Sequence, residues 1–158
     1  MVYLVRHAHA GKKAHWAGPD LARPLSEQGR KEALGLIDQL GAYPLGRVLS
    51  SPAERCLQTV QPLAARLGRA VEPSEALGVD GTGPAVLELL ASPELDRVVL
   101  CTHGEVIAQV FDQLQQAGIE LSAPLRWPKG STWILGREHG QAWKGTYLEP
   151  TVVEEVGR

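Results

Sequence analysis

Cysteine is scarce in this chain: Cys56 and Cys101 are the only two in 158 residues. That is too few for a disulfide framework, and both read as small, reduced core residues. Long hydrophobic runs are missing too. None approaches the roughly 18 residues of a membrane span, and the short apolar stretch at the start has no basic region ahead of it, as a secretion signal would. A cytoplasmic setting is the resulting expectation. Neither sign of charge dominates, since 16 Lys and Arg stand against 18 Asp and Glu for a net charge of -2. That balance speaks against a general nucleic-acid binder or a polybasic membrane binder, so any anion recognition is local. Repeats and low-complexity segments are absent as well, and with a single Phe, Trp16, Trp127, Trp133 and Trp143 make up half of the large aromatics.

What is present is an ordinary globular composition, 44% hydrophobic and 22% charged, at the length of one domain. The expected domain covers residues 1–150, with a frayed tail over 151–158. Met1 to Val5 is an apolar strand, followed by a polar loop from Gly11 to Arg23. Ser26 is a plausible N-cap for a helix in which Ala33, Ile37 and Leu40 recur at helical spacing. Val48-Leu49 reads as a short buried strand. The helix after Pro52 places Cys56, Val60, Leu63 and Leu67 on one face, with Pro62 expected to kink or split it. Glu72 to Pro84 is loop-like, Pro84 to Leu90 a short helix, Arg97 to Cys101 a strand, and Val106 to Leu114 a further helix closed by Gly118. Ser131 to Leu135 and Gln141 to Tyr147 read as late strands. The alternation predicts an α/β fold, a three-layer αβα sandwich with a mostly parallel central sheet and an antiparallel edge.

Three strand-to-helix junctions carry cationic or potentially cationic groups: Arg6-His7 after the first strand, Arg55 after the second, and His103 after Leu100-Cys101-Thr102. In a parallel sheet such junctions lie on one edge, where open α/β sheets put their chemistry. Together these four residues would make a phosphoryl pocket. Arginine forks match phosphate oxygens, helix N-termini add donors, and a neutral imidazole can attack phosphorus.

The chain resembles the histidine phosphatase superfamily, with its phosphoglycerate-mutase-like fold. The resemblance is carried by Leu4-Val5-Arg6-His7-Ala8, by Arg23-Pro24-Leu25-Ser26-Glu27-Gln28-Gly29, by Ser50-Ser51-Pro52-Ala53-Glu54-Arg55-Cys56-Leu57-Gln58-Thr59, and by Thr102-His103-Gly104-Glu105-Val106-Ile107. It implies that His7 is the phosphate-accepting nucleophile, while Arg6, Arg55 and His103 hold and stabilise the transferring phosphoryl. The short length and the Arg-Pro-Leu segment are similar to the compact branch that includes phosphohistidine phosphatases. Pro128 to Leu135 resembles the late strand of histidine phosphatase domains fused behind some bacterial Nudix hydrolases, although no Nudix box is present and the domain is expected to stand alone. No cofactor or metal is expected. The expected partners are phosphorylated proteins or small molecules, with no nucleic acid or membrane, and the sequence assigns no oligomeric state.

Two positions depart from the family pattern: Ala8 stands where glycine is familiar, and His9 where an acidic or small residue is common. His9 reads as a loop or supporting histidine, with substrate contact or metal binding as alternatives. The general acid is also open. Asp80 is the first choice, with Glu75 and Glu105 as further candidates, and an aligned acid typically contributes about 10²–10⁴ in rate. If none is aligned, the favoured substrates carry good leaving groups, phosphohistidine or an anhydride, and alkyl esters are poor. Phosphatase action on nucleotides or small monoesters is the neighbouring alternative.

Two readings of another class remain. A metal-dependent hydrolase would use His7 and His9 with His103, Cys101, Asp80 or His15, but two arginines oppose a cation, and β/α-barrel metallohydrolases need more chain. A non-catalytic phosphate-binding module is opposed by the intact His7 and His103. Trp16, and Trp127 beside Lys129, are either core or rim anchors or stacking platforms flanking the pocket. Lys12, Lys13 and Arg23 are either a solvated loop surface or a site for an acidic partner or extra phosphates.

Overall fold

The computed structural model describes residues 1–154. Among these residues, seven strands build one sheet: β1 (Val2–Arg6), β2 (Val48–Ser50), β3 (Val71–Pro73), β4 (Val99–Thr102), β5 (Glu120–Leu121), β6 (Thr132–Gly136) and β7 (Lys144–Leu148). Their order is β3-β2-β4-β1-β6-β7-β5. The first four run parallel, and β6 runs antiparallel to both β1 and β7. Four helices flank the sheet: α1 (Glu27–Leu40), α2 (Glu54–Arg66), α3 (Gly83–Ala91) and α4 (Gly104–Gln116).

Strand alternation divides the core into two layers. In β1, Val2 and Leu4 pack with Val86 of α3 and Val110 and Phe111 of α4. Tyr3 and Val5 face the other side, with Leu36 and Leu40 of α1 and Val60 and Leu63 of α2. The result is the αβα sandwich expected from the alternation of apolar runs. Because β1, β2 and β4 are parallel neighbours, with Arg6 beside Thr102 and Ser50 beside Cys101, their carboxyl ends lie along one edge. Main-chain bonds extend that alignment into the loops, from His7 N to the Thr102 carbonyl at 3.1 Å and from Ser51 N to the Cys101 carbonyl at 2.9 Å.

Three local expectations change. The predicted loop from Glu72 to Pro84 begins inside edge strand β3, whose Pro73 and half-buried side chains hide the period-2 signal, and two-residue β5 is too short to leave one. Pro62 does not split α2, which runs unbroken from Glu54 to Arg66. Pro62 lies on the half-exposed side, where the carbonyl it deprives of a donor can be hydrated. The tail does not fray at Pro150: Val153 N donates to the Lys31 carbonyl at 3.1 Å, and Lys31 pairs with Glu154 at 2.7 Å. Gly35 makes this docking possible, since a Cβ there would overlap the Thr151 carbonyl. The last four positions of that predicted tail, 155–158, lie outside the described residues.

Candidate active site

The three strand ends deliver Arg6, His7, Arg55 and His103 to the wall of one cavity of about 650 Å³, which Gly11, Lys12, Lys13, Asp20, Arg23, Val79, Glu105 and Lys129 also line. All four converging residues were singled out in the sequence. Its basic lining is local, in a chain whose net charge is -2.

His7 is 6% exposed. Its Nδ1 lies 2.9 Å from the Ala8 carbonyl. A carbonyl only accepts, so Nδ1 carries the proton and Nε2 keeps its lone pair. Burial, reinforced by His103, Arg55 and Arg6, pulls the His7 pKa down from 6.5 to about 3, against the opposing bond to Ala8. The imidazole is therefore neutral throughout the physiological range. The loop is fixed by Thr59, whose Oγ1 accepts from Ala8 N at 2.9 Å and donates to the Arg55 carbonyl at 2.7 Å.

His103 is buried directly before α4, with its ring 5.5 Å from that of His7, centroid to centroid, in an edge-to-face arrangement. Arg55 Nη2 lies 3.5 Å from His103 Nδ1, and because guanidinium only donates, Nδ1 accepts. The proton then sits on Nε2, which donates to Ser51 Oγ at 2.8 Å. Arg6 donates from Nη1 to the Trp127 carbonyl at 2.9 Å. Its guanidinium lies against Gly104, where a Cβ would come within 2.9 Å of the guanidinium carbon. The Nε atoms of both Arg6 and Arg55 are buried and have no partner. An anion in the cavity can supply the acceptors that two desolvated guanidinium groups lack.

Asp20 is the functional neighbour that the sequence reading missed. Arg55 donates to its main-chain oxygen at 2.9 Å and to Oδ2 at 3.1 Å, and Arg23 Nε donates to Oδ1 at 3.2 Å. Slight burial opposes the effect, yet Arg55 and then Arg23 hold the Asp20 carboxyl below its ordinary range. The residue precedes Arg23-Pro24-Leu25 by a short 3₁₀ turn, and only its spacing from that segment hinted at a role.

The candidate acids separate. Asp80 and Glu75 are exposed and lie outside the cavity lining, whereas Glu105 lines it, with no hydrogen bond or ion pair among the described residues fixing its carboxyl. His9 turns away. Its Nδ1 lies 2.6 Å from Ser26 Oγ, and its amide donates to buried Glu32 at 2.8 Å, so it ties the loop to α1 and shares no metal site with His7. Among the described residues, no three His, Cys, Asp or Glu side chains are grouped to hold a metal. Trp16 folds onto its own loop, donating to the Pro19 carbonyl at 2.8 Å, and Trp127 stacks on Phe111. Neither lines the cavity. No described helix is long and apolar enough to cross a membrane.

A doubly wound sheet whose strand ends gather two histidines and two arginines around one basic cavity defines a phosphoryl-transfer class of protein. Residues 2–78 match the sequence model of the histidine phosphatase superfamily (branch 1). The chain belongs to that superfamily and to its compact branch. It is 32% identical over 156 residues to an 8-oxo-(d)GTP phosphatase of Mycolicibacterium smegmatis, covering 94% of this chain and 48% of that one. The chain thus spans about half the length of that curated relative. A SixA-type phosphohistidine phosphatase candidate from Agrobacterium tumefaciens superposes with a TM-score of 0.72 at 25% identity, over 95% of this chain and 97% of the other. A mycobacterial glucosyl-3-phosphoglycerate phosphatase shares the fold, with a TM-score of 0.67 at 20% identity over 95% and 98% of the two chains.

Proposed function

We propose that this domain is a phosphatase that works through a phosphohistidine on His7 and acts on substrates whose leaving group departs without a positioned acid. The observation that carries the reading is the His7 tautomer. The Nδ1 proton is held by the Ala8 carbonyl and the ring is buried and neutral, so Nε2 is available to attack phosphorus. Arg6, Arg55 and His103 flank it and stabilise the charge that spreads over the equatorial oxygens. In the first step an Nε2–phosphorus bond forms, and the bond to the leaving group breaks with its electron pair. The ring then carries a positive charge, which the bond from Nδ1 to Ala8 stabilises. In the second step water attacks phosphorus, the electron pair returns to Nε2, and inorganic phosphate leaves with the water's protons.

The leaving-group preference follows from the acids. Asp20 is held ionised between two guanidinium groups and Glu105 is unfixed, so neither is a positioned donor. Phosphoramidates such as phosphohistidine and phosphoanhydrides are therefore favoured over alkyl esters such as sugar phosphates. Two of the three named relatives, a phosphohistidine phosphatase candidate and an 8-oxo-(d)GTP phosphatase, support the two favoured chemistries, while the third, a glucosyl-3-phosphoglycerate phosphatase named for an alkyl ester, shares the fold at 20% identity. A cytoplasmic setting accords with the free thiols of Cys56 and Cys101.

Brief reaction with phosphoimidazole, an alkaline quench and intact-mass spectrometry should reveal one acid-labile phosphate on the native chain and none on His7→Ala. Turnover should fall by at least about 10³ in His7→Ala and by about 10²–10³ in Arg55→Ala. Absence of the adduct with phosphoimidazole, p-nitrophenyl phosphate and nucleoside diphosphates alike would overturn the nucleophile assignment.

A further inference from the structure

Resting on that reading, we infer that the leaving group is itself a phosphate, so that the substrate is a phosphoanhydride whose second phosphate is held by Lys129 together with Lys12 and Lys13. Six obligate cations line the cavity, Arg6, Lys12, Lys13, Arg23, Arg55 and Lys129, against the carboxylates of Asp20 and Glu105. Three of the six already have partners: Arg6 on the Trp127 carbonyl, Arg55 on Asp20, and Arg23 on Asp20 and the Ala10 carbonyl. The side-chain ammonium groups of the three lysines make no hydrogen bond or ion pair among the described residues. A single transferring phosphoryl at His7 engages Arg6 and Arg55 and leaves this second group of cations without an anion.

Lys129 reports the crowding. Partial burial, followed by repulsion from Arg6 and Arg23, lowers its pKa, with Glu32 opposing. An ammonium in such a position is relieved by a ligand carrying negative charge. It occupies the Pro128–Gly130 turn, whose Gly130 amide donates to the main-chain oxygens of Arg6 and His7 at 3.2 and 3.1 Å, so the turn is tied to the nucleophile's own loop. When Nε2 of His7 attacks the terminal phosphorus, the bridging P–O bond breaks and its electron pair stays with the departing phosphate. Lys129 is placed to neutralise the charge that develops there, which removes the need for a proton donor.

The volume of about 650 Å³ suits a small molecule rather than one phosphoryl group. No Phe, Tyr or Trp side chain lines the cavity, so recognition rests on the number of phosphates more than on stacking against a base. The exposed large apolar side chains on the loops around this edge are Trp16, Leu21 and Val79, which is little for a protein docking face.

The test compares kcat/KM of the full chain on ADP, GDP, pyrophosphate, phosphoimidazole and a phosphohistidine peptide. The anhydrides should exceed phosphoimidazole by tenfold or more, with ADP and GDP within about threefold of each other. Lys129→Ala should lower the anhydride-to-phosphoimidazole ratio by about tenfold or more, the effect of one lost charge-assisted contact. Lys129→Arg should restore most of it, and Lys12→Ala/Lys13→Ala should lower the ratio less. Because both substrates report on the same folded enzyme, partial misfolding leaves the ratio unchanged. A phosphoenzyme that forms from phosphoimidazole while the ratio stays unmoved in Lys129→Ala overturns the subsite alone, as does a tenfold preference for the phosphohistidine peptide over every anhydride. Loss of the phosphoenzyme itself overturns the underlying reading.

Discussion

A histidine that attacks phosphorus must hold its proton on one nitrogen and keep the other bare, and in this protein hydrogen-bonding neighbours set the tautomer of each ring. The Ala8 carbonyl fixes the proton of His7 on Nδ1, while the Arg55 guanidinium and Ser51 hydroxyl set the opposite tautomer for His103. Ser51 therefore acts through His103, without touching substrate. Ser51→Ala leaves the buried Nε2–H with only the weak acceptor Cys56 Sγ at 3.6 Å, which costs about 1–3 kcal/mol. We expect kcat to fall roughly ten- to hundredfold with little change in KM, measured by steady-state kinetics on a phosphoanhydride. Ser51→Thr, which keeps the hydroxyl, should recover most of the activity if its methyl is accommodated.

The elements are joined at glycines where a side chain has no room. Ser26 caps α1 by accepting from Gly29 N at 3.1 Å, and its amide donates to the His9 carbonyl at 2.9 Å. A Cβ at Gly29 would overlap that same carbonyl. On an open helix surface, glycine to alanine is favourable by up to about 1 kcal/mol. Here Gly29→Ala must push the loop after β1 away from α1, so the sign reverses. We expect a loss of about 1–3 kcal/mol in urea unfolding, together with reduced turnover because His7 lies on the displaced loop. The Gln58-Thr59 pair explains another part of the sequence pattern. Gln58 Oε1 accepts from Leu25 N at 2.8 Å and Thr59 Oγ1 accepts from Ala8 N at 2.9 Å, so α2 holds both active-site loops.

For the whole molecule, assembling the site costs stability at low pH. His7 titrates near 3 when folded, against an ordinary 6.5. Below about 6.5 the unfolded chain takes up a proton that the folded chain refuses until about 3. The unfolded state then binds more protons, and stability falls as the pH drops through that window. The slope is at most about 1.4 kcal/mol per pH unit for this one group. Urea midpoints in phosphate-free buffer should show about 2–3 kcal/mol lost between pH 7 and pH 4.5, and the loss should be clearly smaller in His7→Asn. Equal losses in both would show that other groups set the acid limit.

The apolar runs and their spacing were enough to determine the layered α/β fold, because alternating strand and helix periods bury two faces of a parallel sheet in only a few ways. They also marked Arg6, His7, Arg55 and His103, since a strand end followed by a helix start is a local pattern. Strands β3 and β5 escaped notice because two or three half-exposed residues carry no periodicity. Asp20, Ser51 and Glu32 also stayed hidden as site neighbours, and Asp80 ranked ahead of Glu105 as the acid. Which carboxylates reach the cavity depends on how loops from distant strands fold over one edge. The same holds for the tautomers of His7 and His103 and for the crowding of Lys129. Charge and proton placement depend on distance in space, which only the tertiary structure sets.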